Sequence, residues 1–191
     1  MRRSMITALL FTIVTTVLFG ILYPYAVTFV AQLFFPNKAN GQLIRQGNVI
    51  VGSTIIGQPF SGPAYFHSRP SAAGNGYDAA NSGGSNLGPT NKKLLDRIAD
   101  SVVSEQPDNP DTPVPIDLVT SSGSGLDPDI TPAAAEFQIP RIARERHLDE
   151  GRLRKLVAKH TLGRQFGFLG EPRLNVLLLN LDLDQSAEPA R

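Results

Sequence analysis

RLNVLLLNLDL, residues 173 to 183, is the apolar run whose reading decides the fold class. It follows a Gly170-Glu171-Pro172 turn, and Leu177, Leu179, Leu181 and Leu183 recur with the period of two that a half-buried strand requires. Read this way it is a central strand, with Asn180 and Asp182 on the opposite face. Working outward, NVIVGSTIIGQPF (48 to 60) is β-branched and bounded by glycines, which predicts a short strand or hairpin beginning near Val49. IDLVTSSGSG (116 to 125) predicts a strand running into a tight polar turn.

Helices separate these stretches. TNKKLLDRIADSVVSEQ (90 to 106) places Leu94, Leu95, Ile98 and Val102 at helical spacing behind a Thr90/Asn91 cap, and stops before the proline-rich PDNPDTPVP. DITPAAAEFQIPRIARERH (129 to 147) starts with Thr131 as N-cap and Pro132 at the first helical position, and Pro140 is expected to break or kink it. Asp149 caps a further helix in which Leu153, Leu156 and Val157 form the buried stripe. The sum predicts an α+β domain.

This domain does not begin the chain. MRRS precedes an apolar run with no charged residue from Ser4 to Asn37. A spanning helix needs about 20 apolar residues, and this run exceeds that, so part of it extends past the hydrocarbon as an interfacial turn or tilted extension. Pro24 is the candidate kink, and Tyr23, Tyr25, Phe34 and Phe35 are candidate markers of interfacial depth. Arg2 and Arg3 lie before the run and the next basic residue is Lys38, so the positive-inside rule predicts a cytoplasmic N-terminus with the remainder extracytoplasmic. The competing reading, a cleaved signal peptide, fits less well, because the run is long for an h-region and no convincing small-x-small cleavage site follows it. The expected organisation is an N-terminus and transmembrane anchor at 1–36, an extracytoplasmic domain at 37–185 and a flexible tail at 186–191.

Composition narrows the function classes. The 191 residues hold 18 Lys+Arg against 17 Asp+Glu, a net charge of +1, so the basic footprint of a nucleic-acid binder is missing. There is no cysteine, which excludes disulfides and thiol nucleophiles. No Walker, dinucleotide-binding, zincin or nucleophile-elbow motif is found, and His67, His147 and His160 are too scattered to predict a metal site. Ser121, Ser122, Gly123, Ser124 and Gly125 form a turn that could hold phosphate on its backbone N–H groups if it opened a helix, against the simpler reading of a polar β-turn before Asp127-Pro128. A membrane-tethered extracytoplasmic hydrolase using Ser124 or Ser85 with His67 is the alternative function, although no orienting motif surrounds either serine.

HSRPSAAGNGYDAANSGGSNLGPTN (67 to 91) is the long loop of the domain, between the first strand and the first helix. Loops of this length inside a compact domain are more often functional than slack. Asn75, Asn81, Asn86 and Asn91 can close side-chain turns, and Gly83-Gly84 permits backbone shapes closed to other residues. The reading is a shaped loop, used for docking or scaffolding.

The ordered set YFHSRPSA (65 to 72), YDAANSGGSNLGPTN (77 to 91), SSGSGLDPDI (121 to 130), QIPRIA (138 to 143) and HTLGRQFGFLGEPRLNVLLLNL (160 to 181), behind one N-terminal anchor, closely resembles the C subunit family of the bacterial Kdp potassium-transporting P-type ATPase. The resemblance covers nearly the whole chain. It implies a non-catalytic accessory subunit of a high-affinity ATP-driven potassium importer in the inner membrane. The implied partners are a channel-like potassium-translocating subunit, a P-type ATPase subunit and a small membrane subunit. The implied role is to assist assembly and to act as a catalytic chaperone raising the ATP affinity of the ATP-hydrolysing subunit. The chain itself lacks the Asp-Lys-Thr-Gly phosphorylation motif of a pump. By the same resemblance, an ATP contact likened to the ABC signature Leu-Ser-Gly-Gly-Gln falls on Ser121 to Gly125 and on Gln138, although no Gln directly follows this turn. An extracytoplasmic domain would not meet cytoplasmic ATP, so the effect would have to cross the membrane as a coupling free energy.

Overall fold

The computed structural model describes residues 1–187, and its contacts separate a unit Met1–Val51 from a second that begins at Gly52. The first unit is dominated by one apolar helix, Arg2–Phe34, which is long and apolar enough to cross a membrane and has no buried residue in its most apolar window. It comprises α1 (Arg2–Val17), a π turn (Leu18–Leu22) and α2 (Tyr23–Phe34). The π turn has a local cause. Pro24 has no N–H to return to the preceding turn, and the Tyr23 N–H bonds Leu18 O, five residues back, so the helix widens and continues. Thr7, Thr12 and Thr15 donate their hydroxyls to carbonyls four residues back at 3.0, 2.9 and 2.8 Å. These three hydroxyls are thus satisfied within the helix, as residence in hydrocarbon requires. A short helix α3 (Pro36–Ala39) follows, then the paired strands β1 (Leu43–Gln46) and β2 (Val49–Ser53), turned at Gly47 with φ 59°.

The second unit contains four α-helices among the described residues. Its elements are α4 (Lys92–Glu105), 3₁₀ turns at Gln106–Asp108 and Ile116–Leu118, β3 (Asp129–Ile130), α5 (Pro132–Arg146), α6 (Glu150–His160), β4 (Leu174–Asn175) and α7 (Val176–Ala187). Three caps are made as the sequence predicts. Asn91 accepts from Lys93 N–H, Thr131 from Ala134 N–H and Asp149 from Arg152 N–H. The core joins Phe66, Leu118 and Ile130 to Ala134, Ala135, Phe137, Ile139 and Ile142 of α5, Leu153 and Val157 of α6, and Val176, Leu179 and Leu183 of α7. β3 and β4 pair antiparallel, with Asp129 opposite Asn175 and Ile130 opposite Leu174.

The α+β class holds, but three expectations are corrected. Residues 173–183 are not a central strand: only Leu174–Asn175 are extended, and the rest is α7. The run is apolar at nearly every position, so it contains a helical stripe as well as a strand alternation. Within the helix Val176, Leu177, Leu179, Asn180 and Leu183 are buried, and 176, 179, 180 and 183 stand at helical spacing. Asn175 decides the helix start, since its Oδ1 accepts from the Leu178 N–H at 3.1 Å while its Nδ2 donates to Thr54 O at 2.8 Å. Residues 116–118 form a 3₁₀ turn rather than a strand, with the Thr120 hydroxyl bonded to Ile116 O at 2.7 Å. Pro140 does not break α5, which runs on to Arg146 and ends with His147 in the left-handed conformation. Of the expected tail at 186–191, α7 includes residues 186 and 187, and 188–191 lie outside the described residues.

Candidate functional site

The strap that runs from Gly62 into the 67–91 loop has few backbone partners of its own type, so side chains from α5 and α7 take the place of a neighbouring strand. Asn180 Oδ1 accepts from the Phe66 N–H at 2.9 Å and its Nδ2 donates to Phe66 O at 2.9 Å. Gln138 repeats the pattern one residue on, with Oε1 accepting from the His67 N–H at 2.7 Å and Nε2 donating to His67 O at 3.2 Å. Both amides are fully buried, where an unpaired peptide group is costly.

Two arginines of α5 extend the clamp. Arg141, 4% exposed, donates to Pro63 O, to Tyr65 O at 3.0 Å and to Gln138 Oε1 at 2.8 Å, and its charge is met by Asp108 at 2.5 Å. Arg146 donates to Ala64 O at 2.6 Å, pairs with Asp184 at 2.7 Å and lies 4.5 Å from the Tyr65 ring centroid.

Beyond His67 the loop is fastened to the serine-glycine turn. Ser71 Oγ donates to Gly125 O at 2.6 Å and accepts from the N–H groups of Tyr77 and Ala73. Ser124 O accepts from Gly83 N–H at 2.8 Å and from Ser82 Oγ at 3.0 Å. The approach is tight enough to demand glycine: a Cβ on Gly84 would sit 2.9 Å from Gly123 O, and one on Gly125, at φ +66°, 2.6 Å from Ala73 N. Arg69 donates to Thr120 O and pairs with Asp127 at 3.4 Å, and the Tyr77 hydroxyl donates to Arg69 O. The loop is a shaped element.

The residues singled out from sequence therefore occupy two different places. Ser121 to Gly125 lie against residues 71–84, with Arg97 of α4 reaching Ser121 Oγ at 3.4 Å. The turn does not open a helix; it leads into β3, and α5 starts only at Pro132. Gln138 is buried in α5, and its amide also bonds Ala134 O at 3.1 Å. The loop touches both, but no hydrogen bond joins Gln138 to the turn among the described residues. His67 Nε2 lies 3.0 Å from Gly62 O and is bonded to neither Ser85 nor Ser124, and Ser124 Oγ accepts from the Leu126 N–H at 3.1 Å. The serine–histidine pair of a hydrolase is thus not assembled here.

A cleft of about 310 Å³ opens along the strap, lined by Phe60, His67, Arg69, Tyr77 and Glu105. Burial, then the Arg141 guanidinium, lowers the His67 pKa. Burial, then Asp108, raises that of the Glu105 carboxyl, and burial raises that of the Tyr77 phenol. A second cavity of about 290 Å³ is ringed by Arg69, Asp127, Asp129 and Arg173, with Arg173 and Asp129 paired at 2.8 Å. Among the described residues no group of three or more His, Asp or Glu is placed to hold a metal.

Sequence reasoning missed the clamp residues Asn180, Arg141 and Arg146. The available signal was an asparagine inside a leucine run, since a polar residue there must find a buried partner.

The potassium-transporting ATPase KdpC subunit of Koribacter versatilis is 63% identical over 184 residues, covering 96% of this chain and 95% of that protein. The subunit of the same name from Acidobacterium capsulatum is 58% identical over 179 residues, covering 94% and 96%, and that from Rhodopseudomonas palustris is 50% identical over 196 residues, covering 96% and 98%. The family described as KdpC, K+-transporting ATPase, c chain, matches residues 5–185, and the chain belongs to that family.

Proposed function

We propose that this chain is the non-catalytic accessory subunit of a potassium-importing P-type ATPase of the bacterial inner membrane, anchored by Arg2–Phe34 with its N-terminus in the cytoplasm and its domain outside. The observation that carries the reading is the family match across residues 5–185, joined to relatives of 50% identity and more that are named potassium-transporting ATPase subunits. The domain serves as a rigid scaffold over the outer mouth of a channel-like subunit, stabilising the assembly that also includes the ATPase subunit and a small membrane subunit. The clamped strap and the fastened loop support this role, because a docking surface that is already ordered loses little entropy on binding.

The catalytic-chaperone role, raising the ATP affinity of the ATPase subunit, is assigned to coupling through the membrane helices rather than to a nucleotide seated on Gln138. All the donors and acceptors of the Gln138 amide are used within the fold, which favours this division.

Sidedness is the test. Single cysteines at exposed Asn86 and Ser104, in this cysteine-free chain, are labelled in intact cells with an impermeant thiol reagent. Labelling from outside is expected. Protection until the membrane is opened would place the domain in the cytoplasm and make the Ser121 to Gly125 turn accessible to cytoplasmic ATP. Deletion of the domain with retention of the anchor is expected to reduce assembly or transport, and full transport by the anchor alone would defeat the scaffold role.

A further inference from the structure

Between α6 and β4 the chain forms a small hairpin whose backbone is fixed and whose outer surface is apolar. Leu162 and Arg173 exchange backbone hydrogen bonds at 2.8 and 3.0 Å, and Gln165 and Leu169 do so at 2.9 Å in each direction. The reversal is made at Phe166 and Gly167, with φ of 54° and 83°. On this frame Phe166 is 88% exposed, Phe168 69%, Leu162 56% and Leu169 47%. Position 166 lies in the left-handed region, where glycine or asparagine serves a turn better than an aromatic residue, so the turn does not explain the phenylalanine. Nor does the core, which it does not enter.

We propose that the tip formed by residues 163–170 is a docking plug that inserts Phe166 and Phe168 into an apolar, uncharged pocket of another protein anchored in the same membrane. The inference rests on the function proposed above, and the partner is another subunit of the potassium-transporting assembly. Three considerations select that occupant. Covering the four side chains removes apolar area on the order of 400 Å², the size of the largest functional patches on monomers. That is about half of the roughly 800 Å² per partner that a stable interface buries, so two copies joined tip to tip would not hold. A partner fixed in the same bilayer needs less, because co-anchoring raises the effective concentration of the second contact. Charge argues against an anionic lipid surface. Arg164 is paired with Glu171 at 3.0 Å and Arg173 with Asp129 at 2.8 Å, and no lysine lies from residue 161 to 173, so the tip lacks the unpaired cations that such binding uses.

The test uses the full chain produced with the rest of the assembly. Phe166 is replaced by p-benzoylphenylalanine, the membranes are irradiated and the adducts are identified by mass spectrometry. An adduct with a different subunit of the assembly is expected; adducts only with lipid, adducts with a second copy of this chain, or no adduct would overturn the docking plug. In parallel, a Phe166→Asp, Phe168→Asp variant is expected to recover roughly tenfold less of the partner subunit on an affinity tag, the loss typical of an interface anchor. Its unfolding midpoint should match that of the parent, since both rings are outside the core. Equal recovery by parent and variant would defeat the plug alone, whereas a parent that recovers no transport subunit would defeat the proposed function with it.

Discussion

The carboxamide of Asn180 pairs with the backbone of Phe66 as a neighbouring strand would, accepting its N–H and donating to its carbonyl, each at 2.9 Å. α7 thereby holds the strap at a point where no strand reaches it. Asn180→Leu leaves two buried peptide groups without partners, at roughly 1–3 kcal/mol each, and is expected to destabilise the domain by about 2–5 kcal/mol. Denaturant unfolding of the detergent-solubilised chain measures this; a change under about 0.5 kcal/mol would mean the pairing is dispensable.

Gln138 does the same for His67, which separates a structural role from a nucleotide role. Gln138→Ala is expected to cost about 2–4 kcal/mol of domain stability, because it orphans His67 and removes one acceptor of buried Arg141. Ser122→Ala, whose hydroxyl has only a 3.5 Å contact to Ser124 Oγ, is expected to change stability by less than about 0.5 kcal/mol. If Gln138→Ala abolished the nucleotide response of the complex with the domain's unfolding midpoint unchanged, the structural assignment would fail.

Two glycines of one pentapeptide should behave oppositely. A Cβ at Gly125 meets Ala73 N at 2.6 Å and Gly83 O at 2.7 Å in a left-handed backbone, so Gly125→Ala is expected to cost about 1–3 kcal/mol or more and to loosen the 71–84 loop. A Cβ at Gly123 meets nothing within 4 Å, and Gly123→Ala should be close to neutral. Limited proteolysis within residues 71–84 reads the difference: faster cleavage in the first variant and parental cleavage in the second.

The cleft makes stability depend on pH with opposing signs. His67 has a folded-state pKa below its ordinary value of 6.5, through burial and then Arg141, so below pH 6.5 the unfolded chain binds more protons and stability falls as pH drops. Glu105, raised above 4.5 by burial and then Asp108, gives the reverse: the folded state takes up its proton first, and stability rises as pH falls through that raised value. His67→Gln is therefore expected to flatten the loss below pH 6.5, and Glu105→Gln to raise stability at neutral pH and steepen the loss on acidification. Denaturant midpoints from about pH 8 to about pH 5 decide both.

Much of the local structure was legible because its causes are local. The caps at Asn91, Thr131 and Asp149 lie beside the amides they satisfy, and the N-terminal helix follows from an uninterrupted apolar run. The candidate site was legible only in part. Residues 67–91 were readable as a shaped loop from their asparagines and glycines, but the groups that shape it, Arg141 and Asn180, lie 76 and 114 positions along the chain from the strap residues they hold. The exposed pair Phe166 and Phe168 carried no signal either, because an aromatic residue in a sequence is by default assigned to a core.

By itself, the sequence determined the N-terminal apolar helix, the starts of α4, α5 and α6, the neutral charge balance and the family, because each depends on residue type and short-range order. The tertiary structure decided what Arg173–Leu183 would become. A leucine run satisfies the period of a strand and the period of a helix alike, so its conformation depends on the surface available for burial. Here that surface is α5 and α6, against which Val176, Leu179 and Leu183 close the core, while Asn180 finds both partners on Phe66. Long-range burial settled a choice that local periodicity left evenly balanced.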